Sequence, residues 1–310
     1  MHEQVPATRV WRPDRAIDLR LLLVHRHGAQ DSSYQIEGGP DVQAARHWRA
    51  VRTPVGAGTV AISRIPGGIR AEAWGPGREW LLDQVPELLG EPDKPEDFQL
   101  TDLLVRGLLE RYGSPRYGRS GRVMEALVPA VFEQKVTGQE AFAGFASLLQ
   151  RFGEVAPGPH SDLRILPDSD ALRRIPSWDW LRLPIDPGRS RPLLRAVAVA
   201  DALERAERLS ADVLGQRLRS LPGLGEWTEA EVRQRSHGDP DAVSFGDYHV
   251  AANVGWALTN APWNDDQMRE YLAPFGGHRR RVVDLITSAA GPRPRRGPRM
   301  APRTHLPNQA

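Results

Sequence analysis

The sequence has no cysteine. That excludes disulfides, thiolate zinc sites, iron–sulfur clusters and a cysteine nucleophile. Lysine is nearly missing as well: Lys94 and Lys135 are the only two, which leaves little scope for amine nucleophiles. No run approaches 18 consecutive apolar residues, so a membrane-spanning helix is not expected. The opening Met-His-Glu-Gln-Val-Pro lacks a basic stretch followed by an apolar one, and no secretory leader is expected either. The nine histidines are scattered, with no pair at His-Glu-x-x-His spacing, which argues against a zinc hydrolase. A cytoplasmic protein without a tight structural metal is the expectation.

What remains is a globular composition, 40% hydrophobic and 26% charged over 310 residues, enough for one large domain or two ordinary ones. The net charge of +2 hides an asymmetry. Residues 291–310 hold five arginines (Arg293, Arg295, Arg296, Arg299, Arg303), five prolines and no acid. Without them the chain carries 36 basic against 39 acidic side chains. Such a tail cannot build a core and reads as a disordered terminus. It could also hold nucleic acid loosely through counterion release.

Residues 1–95 are rich in Gly and Pro and carry short apolar runs. Leu19 to Val24 and Thr59 to Ile65 have the look of strands, with Asp41–Arg49 and Glu79–Leu89 as helices packed on them. This gives a small N-terminal α+β domain with an antiparallel sheet, closed by a linker at 90–97. Beyond it the apolar spacing becomes helical. Helices are expected over Phe98–Tyr112, Val123–Val136, Gln139–Phe152, Arg189–Arg208, Ala211–Ser220, Glu229–His237, Tyr248–Leu258, Asp265–Leu272 and His278–Ala289. No fixed period recurs, which disfavours a solenoid. The fold class is therefore α+β: a small domain over 1–95, then a large all-helical one over 98–290.

One segment carries most of the chemistry: Leu221-Pro222-Gly223-Leu224-Gly225-Glu226-Trp227-Thr228. A helix capped by Ser210 should stop near Pro222, and Thr228 with Glu231 three residues on has capping-box spacing for the next. Two glycines around one leucine permit a tight turn and close approach of another backbone. Free amides of the turn and the following helix start can face a phosphate. A plain turn between antiparallel helices uses the same residues. Nineteen residues past Thr228, Ala242-Val243-Ser244-Phe245-Gly246 leads into Asp247 and Tyr248. Asp247 has the position of a helix N-cap.

Hairpin and aspartate together resemble the helix–hairpin–helix DNA glycosylase superfamily, most closely the bacterial 3-methyladenine DNA glycosylase branch. The match runs over about 98–290, with Glu133-Gln134-Lys135-Val136-Thr137 where the family has its DNA-probing loop. The resemblance implies a monomer acting on double-stranded DNA with damaged bases, near the nucleoid and away from membranes. Leu221, Gly223, Leu224, Gly225 and Thr228 would hold the DNA backbone, and Gln134 and Lys135 would fill the gap left by a flipped nucleotide. Asp247 would stabilise the oxocarbenium-like sugar. Trp227, Tyr248 and Phe245 would bind the electron-poor base, with Trp178, Trp180 and Phe275 as weaker candidates.

A weak monovalent cation at the hairpin carbonyls is implied only by the resemblance; no other cofactor is. Bifunctional relatives carry a hairpin lysine where this chain has Glu226-Trp227, which implies a glycosylase without strand-nicking activity. Two features depart from the pattern. Glu226, Glu229 and Glu231 crowd the phosphate site, leaving Arg116, Arg119, Arg122 and Arg279–Arg281 to compensate or simply to form a solvated face. His278-Arg279 also replaces the late proline–aromatic–arginine pattern of relatives. The readings left open are a glycosylase for alkylated purines, one for oxidised or deaminated bases, and a non-catalytic DNA-binding protein.

Overall fold

The computed structural model describes residues 5–98, 102–291 and 293. These build a five-stranded antiparallel sheet, a two-stranded hairpin and thirteen α-helices. The expected basic tail lies almost wholly outside the described residues.

The sheet comprises β1 (Ala7–Trp11), β2 (Tyr34–Glu37), β3 (Arg46–Thr53), β4 (Gly56–Ile65) and β5 (Gly68–Trp74), in the order β1-β5-β4-β3-β2. Its two faces bury different partners, as the period of two requires. Val51, Val60, Ile62, Ile69 and Ala73 pack on α1 (Arg78–Leu88) through Leu81, Leu82, Val85 and Leu88. Trp48, Ala50, Ala61 and Trp74 point the other way.

Two N-terminal expectations fail. Leu19–His25 is not a strand but a run of 3₁₀ turns, capped by Asp18, with Leu19, Leu22 and His25 buried at a spacing of three. Asp41–Arg49 is not a helix: residues from Arg46 onward form β3, because a strand there pairs with both β2 and β4.

The helical part begins with α2 (Leu103–Tyr112), α3 (Val123–Glu133) and α4 (Gly138–Phe152). Thr137 caps α4 in a reciprocal capping box with Glu140. The chain then returns to the sheet. β6 (Glu154–Val155) and β7 (Arg164–Ile165) form a hairpin whose Ala156, Leu163 and Ile165 cover Trp48 and Trp74. Residues expected within the helical domain thus complete the core of the N-terminal sheet.

After α5 (Ser169–Arg174) and α6 (Ser177–Arg182), the expected long helix 189–208 is broken into α7 (Pro187–Ala198), α8 (Ala200–Glu204) and a 3₁₀ turn. The break falls at Val199, whose backbone leaves the helical region (φ −116°, ψ 20°). α9 (Ala211–Arg219) and α10 (Glu226–His237) flank the glycine hairpin. α11 (Val250–Thr259), α12 (Asp265–Leu272) and α13 (Arg279–Ala290) complete the chain.

The helical residues bury two apolar clusters. One gathers α3, α4, α7 and α9 with Val232 of α10; the other gathers α11, α12 and α13 with Val105, Val243 and Phe245. The segment from α10 to α11 crosses between them, and it contains both the hairpin's helix and Asp247.

Candidate active site

The hairpin is a turn whose chemistry is set by two residues. Leu224 N–H donates to the Leu221 carbonyl at 3.1 Å, placing Pro222 and Gly223 at its centre. Gly223 has φ +95°, as the third position of a type II turn demands, and proline pre-sets the second. A Cβ on Gly223 would meet Pro192 Cγ at 2.3 Å, so close packing also requires glycine there. Leu224 is buried in the first helical cluster and anchors the turn, with Leu221 packed beside it.

α10 begins three residues earlier than the Thr228 cap implied. Gly225 is the N-cap, and Thr228 lies inside the first turn with a buried side chain. The first amides of α10 have no intrahelical acceptor, so the edge formed by the exposed Gly223 and Gly225 presents donors and the positive end of a helix dipole.

Gln134, at the end of α3, has another task than filling a stack. Its Nε2 donates to the Gly223 carbonyl at 3.2 Å and to Thr228 Oγ1 at 2.8 Å, tying α3 to the hairpin. Lys135 next to it is exposed and left-handed at φ 55°, a conformation that side chains bearing Cβ adopt at a cost.

The acids do not crowd the hairpin edge. Glu229 turns inward and is buried against Arg233 at 2.7 Å and Arg219 at 3.0 Å. Glu231 turns inward to Arg235 at 2.7 Å. Glu226 stays near the surface, where Arg269 grips it through both carboxylate oxygens.

The arginines expected to compensate are committed elsewhere. Arg116 and Arg119 pair with Glu96 and Glu87, Arg122 with Glu204, Arg279 with Asp241, and Arg281 with Asp93. Arg280 lies over the Tyr117 ring at 3.9 Å. Arg119 and Arg279 stay half-exposed, while Arg122, Arg280 and Arg281 are largely or wholly buried.

The hairpin carbonyls do not suit a cation. Those of Leu221, Pro222 and Gly223 accept from Leu224 N, Arg195 Nη1 and Gln134 Nε2 respectively, and Arg195 already brings a positive charge. Among the described residues, no group of His, Asp or Glu could hold a metal ion.

Asp247 stands across the seam from α10. Trp227 Nε1 donates to Asp247 Oδ2 at 3.3 Å. Asp247 Oδ1 accepts from the amides of His249 at 2.7 Å and Val250 at 3.1 Å, capping the approach to α11. The segment before it is a loop, held by Asp265 Oδ2 on the Gly246 amide at 2.7 Å.

The expected aromatic residues separate. Tyr248 is 87% exposed, edge-on to His249 at 4.8 Å. Phe245 is not beside Asp247 in the open: it is buried in the second cluster with the Arg269 guanidinium 3.7 Å over its ring. Trp180 and Phe275 are core residues, and Trp178 is exposed on α6.

Sequence reasoning missed the polar residues that hold this centre: Glu133, Gln234, Arg235, Arg269 and His27. The Glu231–Arg235 spacing of four was a local signal, and Gln234 lies on the same helix; Glu133, Arg269 and His27 come from distant segments.

The fold is that of the helix–hairpin–helix DNA glycosylases. The chain superposes on a 3-methyladenine DNA glycosylase from Archaeoglobus fulgidus with a TM-score of 0.72, 19% identity, and coverage of 90% of this chain and 96% of that one. An 8-oxoguanine glycosylase/lyase from Clostridium acetobutylicum, in complex with double-stranded DNA containing cytosine opposite 8-oxoguanine, matches at 0.66 with 13% identity, covering 93% and 99%. No protein-family profile matches. In sequence, the chain is 24% identical over 230 residues to the "Probable bifunctional transcriptional activator/DNA repair enzyme AlkA" of Mycobacterium tuberculosis. That match covers 68% of this chain and 44% of the relative, so the chain spans less than half of it.

Proposed function

We propose that this chain is a monofunctional DNA glycosylase that hydrolyses the N-glycosidic bond of flipped, alkylated purines in base-excision repair. The observation that carries the reading is the carboxylate of Asp247, bonded to the indole of Trp227 two residues past the hairpin's last glycine. One short segment thereby joins a phosphate-facing turn to an acid suited to a cationic sugar.

In this mechanism the Gly223 and Gly225 amides hold the backbone beside the lesion, and the protruding Lys135 occupies the vacated stack. Asp247 faces the sugar. A carboxylate oxygen has two acceptor positions, so Oδ2 keeps one for substrate while Trp227 fixes the other. Negative charge there stabilises the oxocarbenium-like transition state and orients water on it. An alkylated purine with a formal positive charge leaves without a strong general acid. Trp227 and the exposed Tyr248 supply faces for the electron-poor base. Glu226-Trp227 replaces the hairpin lysine, which supports hydrolysis without strand scission.

A second reading, excision of oxidised or deaminated bases, is supported by the similarity of the fold to that of an 8-oxoguanine glycosylase/lyase.

The test is release of free bases from methylated duplex DNA by wild type and Asp247→Asn. Release of 3-methyladenine or 7-methylguanine by wild type alone supports the proposal. Release only from oligonucleotides with oxidised or deaminated bases moves the weight to the second reading. Salt-sensitive DNA binding without release from any lesion leaves a binding protein.

A further inference from the structure

The loop that carries Asp247 is gripped by side chains that the proposed chemistry does not use directly. Ser244 is buried three residues before Asp247, and its carbonyl accepts the Asp247 N–H at 3.2 Å. Its hydroxyl donates to Glu231 Oε1 and accepts from Gln234 Nε2 at 2.9 Å. Gln234 also donates to the Ala242 carbonyl at 2.9 Å. Glu231 stands four residues after Trp227 on α10. The helix face that offers the indole to Asp247 therefore also offers the carboxylate that holds its loop.

Behind Glu231 the network continues into two other parts of the molecule. Arg235 pairs with Glu231 at 2.7 Å and reaches Glu133 at 3.5 Å, next to the Gln134 that ties down the hairpin. Glu133 in turn lies 3.5 Å from Nδ1 of His27, which comes from the N-terminal unit. Burial would lower the Arg235 guanidinium, but Glu231 and Glu133 outweigh it and hold it above its ordinary value. Burial would likewise raise Glu133, yet His27 and Arg235 pull it below the usual carboxylate value. Glu231, Arg235 and Glu133 thus alternate in sign along this network.

We propose that Ser244 and Glu231 are positioning residues for Asp247, and that this network sets the carboxylate against the substrate from α10, α3 and the N-terminal unit together. The catalytic consequence rests on the role given to Asp247 above. The structural content does not, and the two are tested separately.

The full-length protein is compared as wild type, Ser244→Ala and Ser244→Thr. The first measurement is amide hydrogen exchange by NMR at His249 and Val250, whose N–H groups donate to Asp247. In Ser244→Ala those two amides are expected to exchange about tenfold faster while amides of β3 and β4 stay unchanged, and Ser244→Thr restores them. The second measurement is single-turnover base release, expected to fall about tenfold in Ser244→Ala with affinity for undamaged duplex unaltered.

Wild-type exchange at both amides in Ser244→Ala would overturn the proposal, as would acceleration spread evenly over the chain. If wild type releases no base from any lesion, the glycosylase reading fails, and the exchange measurement still decides the positioning role.

Discussion

Single residues set the hairpin and the acid response. Gly223 has a positive φ and a methyl-sized gap already filled by Pro192, whereas Gly225 has φ −90° and nothing within 4 Å of its missing Cβ. Gly223→Ala is therefore expected to cost about 2–4 kcal/mol, from left-handed strain and overpacking together. Gly225→Ala should leave the thermal midpoint almost unmoved but, on the proposed function, weaken DNA binding, because the new methyl would stand where a phosphate is to approach. Thermal melts and fluorescence anisotropy separate the two effects.

His25 governs behaviour at low pH. Burial first, then Arg49, His27 and Arg235, hold it well below 6.5, and burial likewise lowers His47 and His237. The unfolded chain then takes up protons that the folded one refuses. Stability is complete above the unfolded value of 6.5 and drains as pH falls below it, by at most about 1.4 kcal/mol per pH unit for each histidine. Urea midpoints at pH 7 and 5.5 should differ accordingly, and His25→Gln should narrow the gap.

At the scale of elements, the decisive contact is the end of α3 against the start of α10. Gln134→Ala removes two hydrogen bonds and leaves the buried Thr228 hydroxyl without that donor, which should cost about 1–3 kcal/mol. The loosened hairpin should also bind duplex DNA more weakly, with a base-release step changed less than binding. Comparable losses of both would place Gln134 in the chemistry instead. The cap of α9 was legible from Ser210, because a side-chain oxygen bonding an amide three residues on is a local event. The start of α10 was not. Thr228 and Glu231 have capping-box spacing, but Gln134 from a distant helix takes the hydroxyl, while Ser244 and Arg235 take the carboxylate.

At the scale of the whole molecule, ion pairs join segments that composition alone would keep apart. Arg281 of α13 is wholly buried and holds Asp93 of the 90–97 linker through two bonds, at 2.6 and 3.2 Å. Asp93 Oδ2 also accepts the Tyr117 amide at 3.0 Å. The linker is thus bolted to the last helix. Asp93→Ala strands a buried guanidinium and should lower stability by about 3–5 kcal/mol, read from chemical denaturation. Replacing Arg281 as well, by Met, should recover part of that loss. Arg49 of β3 pairs with Glu125 of α3 in the same way, fixing the sheet against the helical body.

What the sequence determined by itself is what depends on neighbours a few residues away. The helical periodicities, the Pro-Gly turn and the Ser210 cap are of this kind, as is the placing of Asp247 nineteen residues past Thr228. The tertiary structure decided where long-range partners compete for the same atoms. It turned 46–49 into part of a strand by pairing it on both edges, and sent 154–165 back to cover Trp48 and Trp74. It drew Phe245 into the core and turned Glu229 and Glu231 away from the hairpin edge. A side chain's alternation or spacing fixes the face it lies on; only the packed molecule fixes which charge or ring waits there, because burial makes an unmatched partner costly.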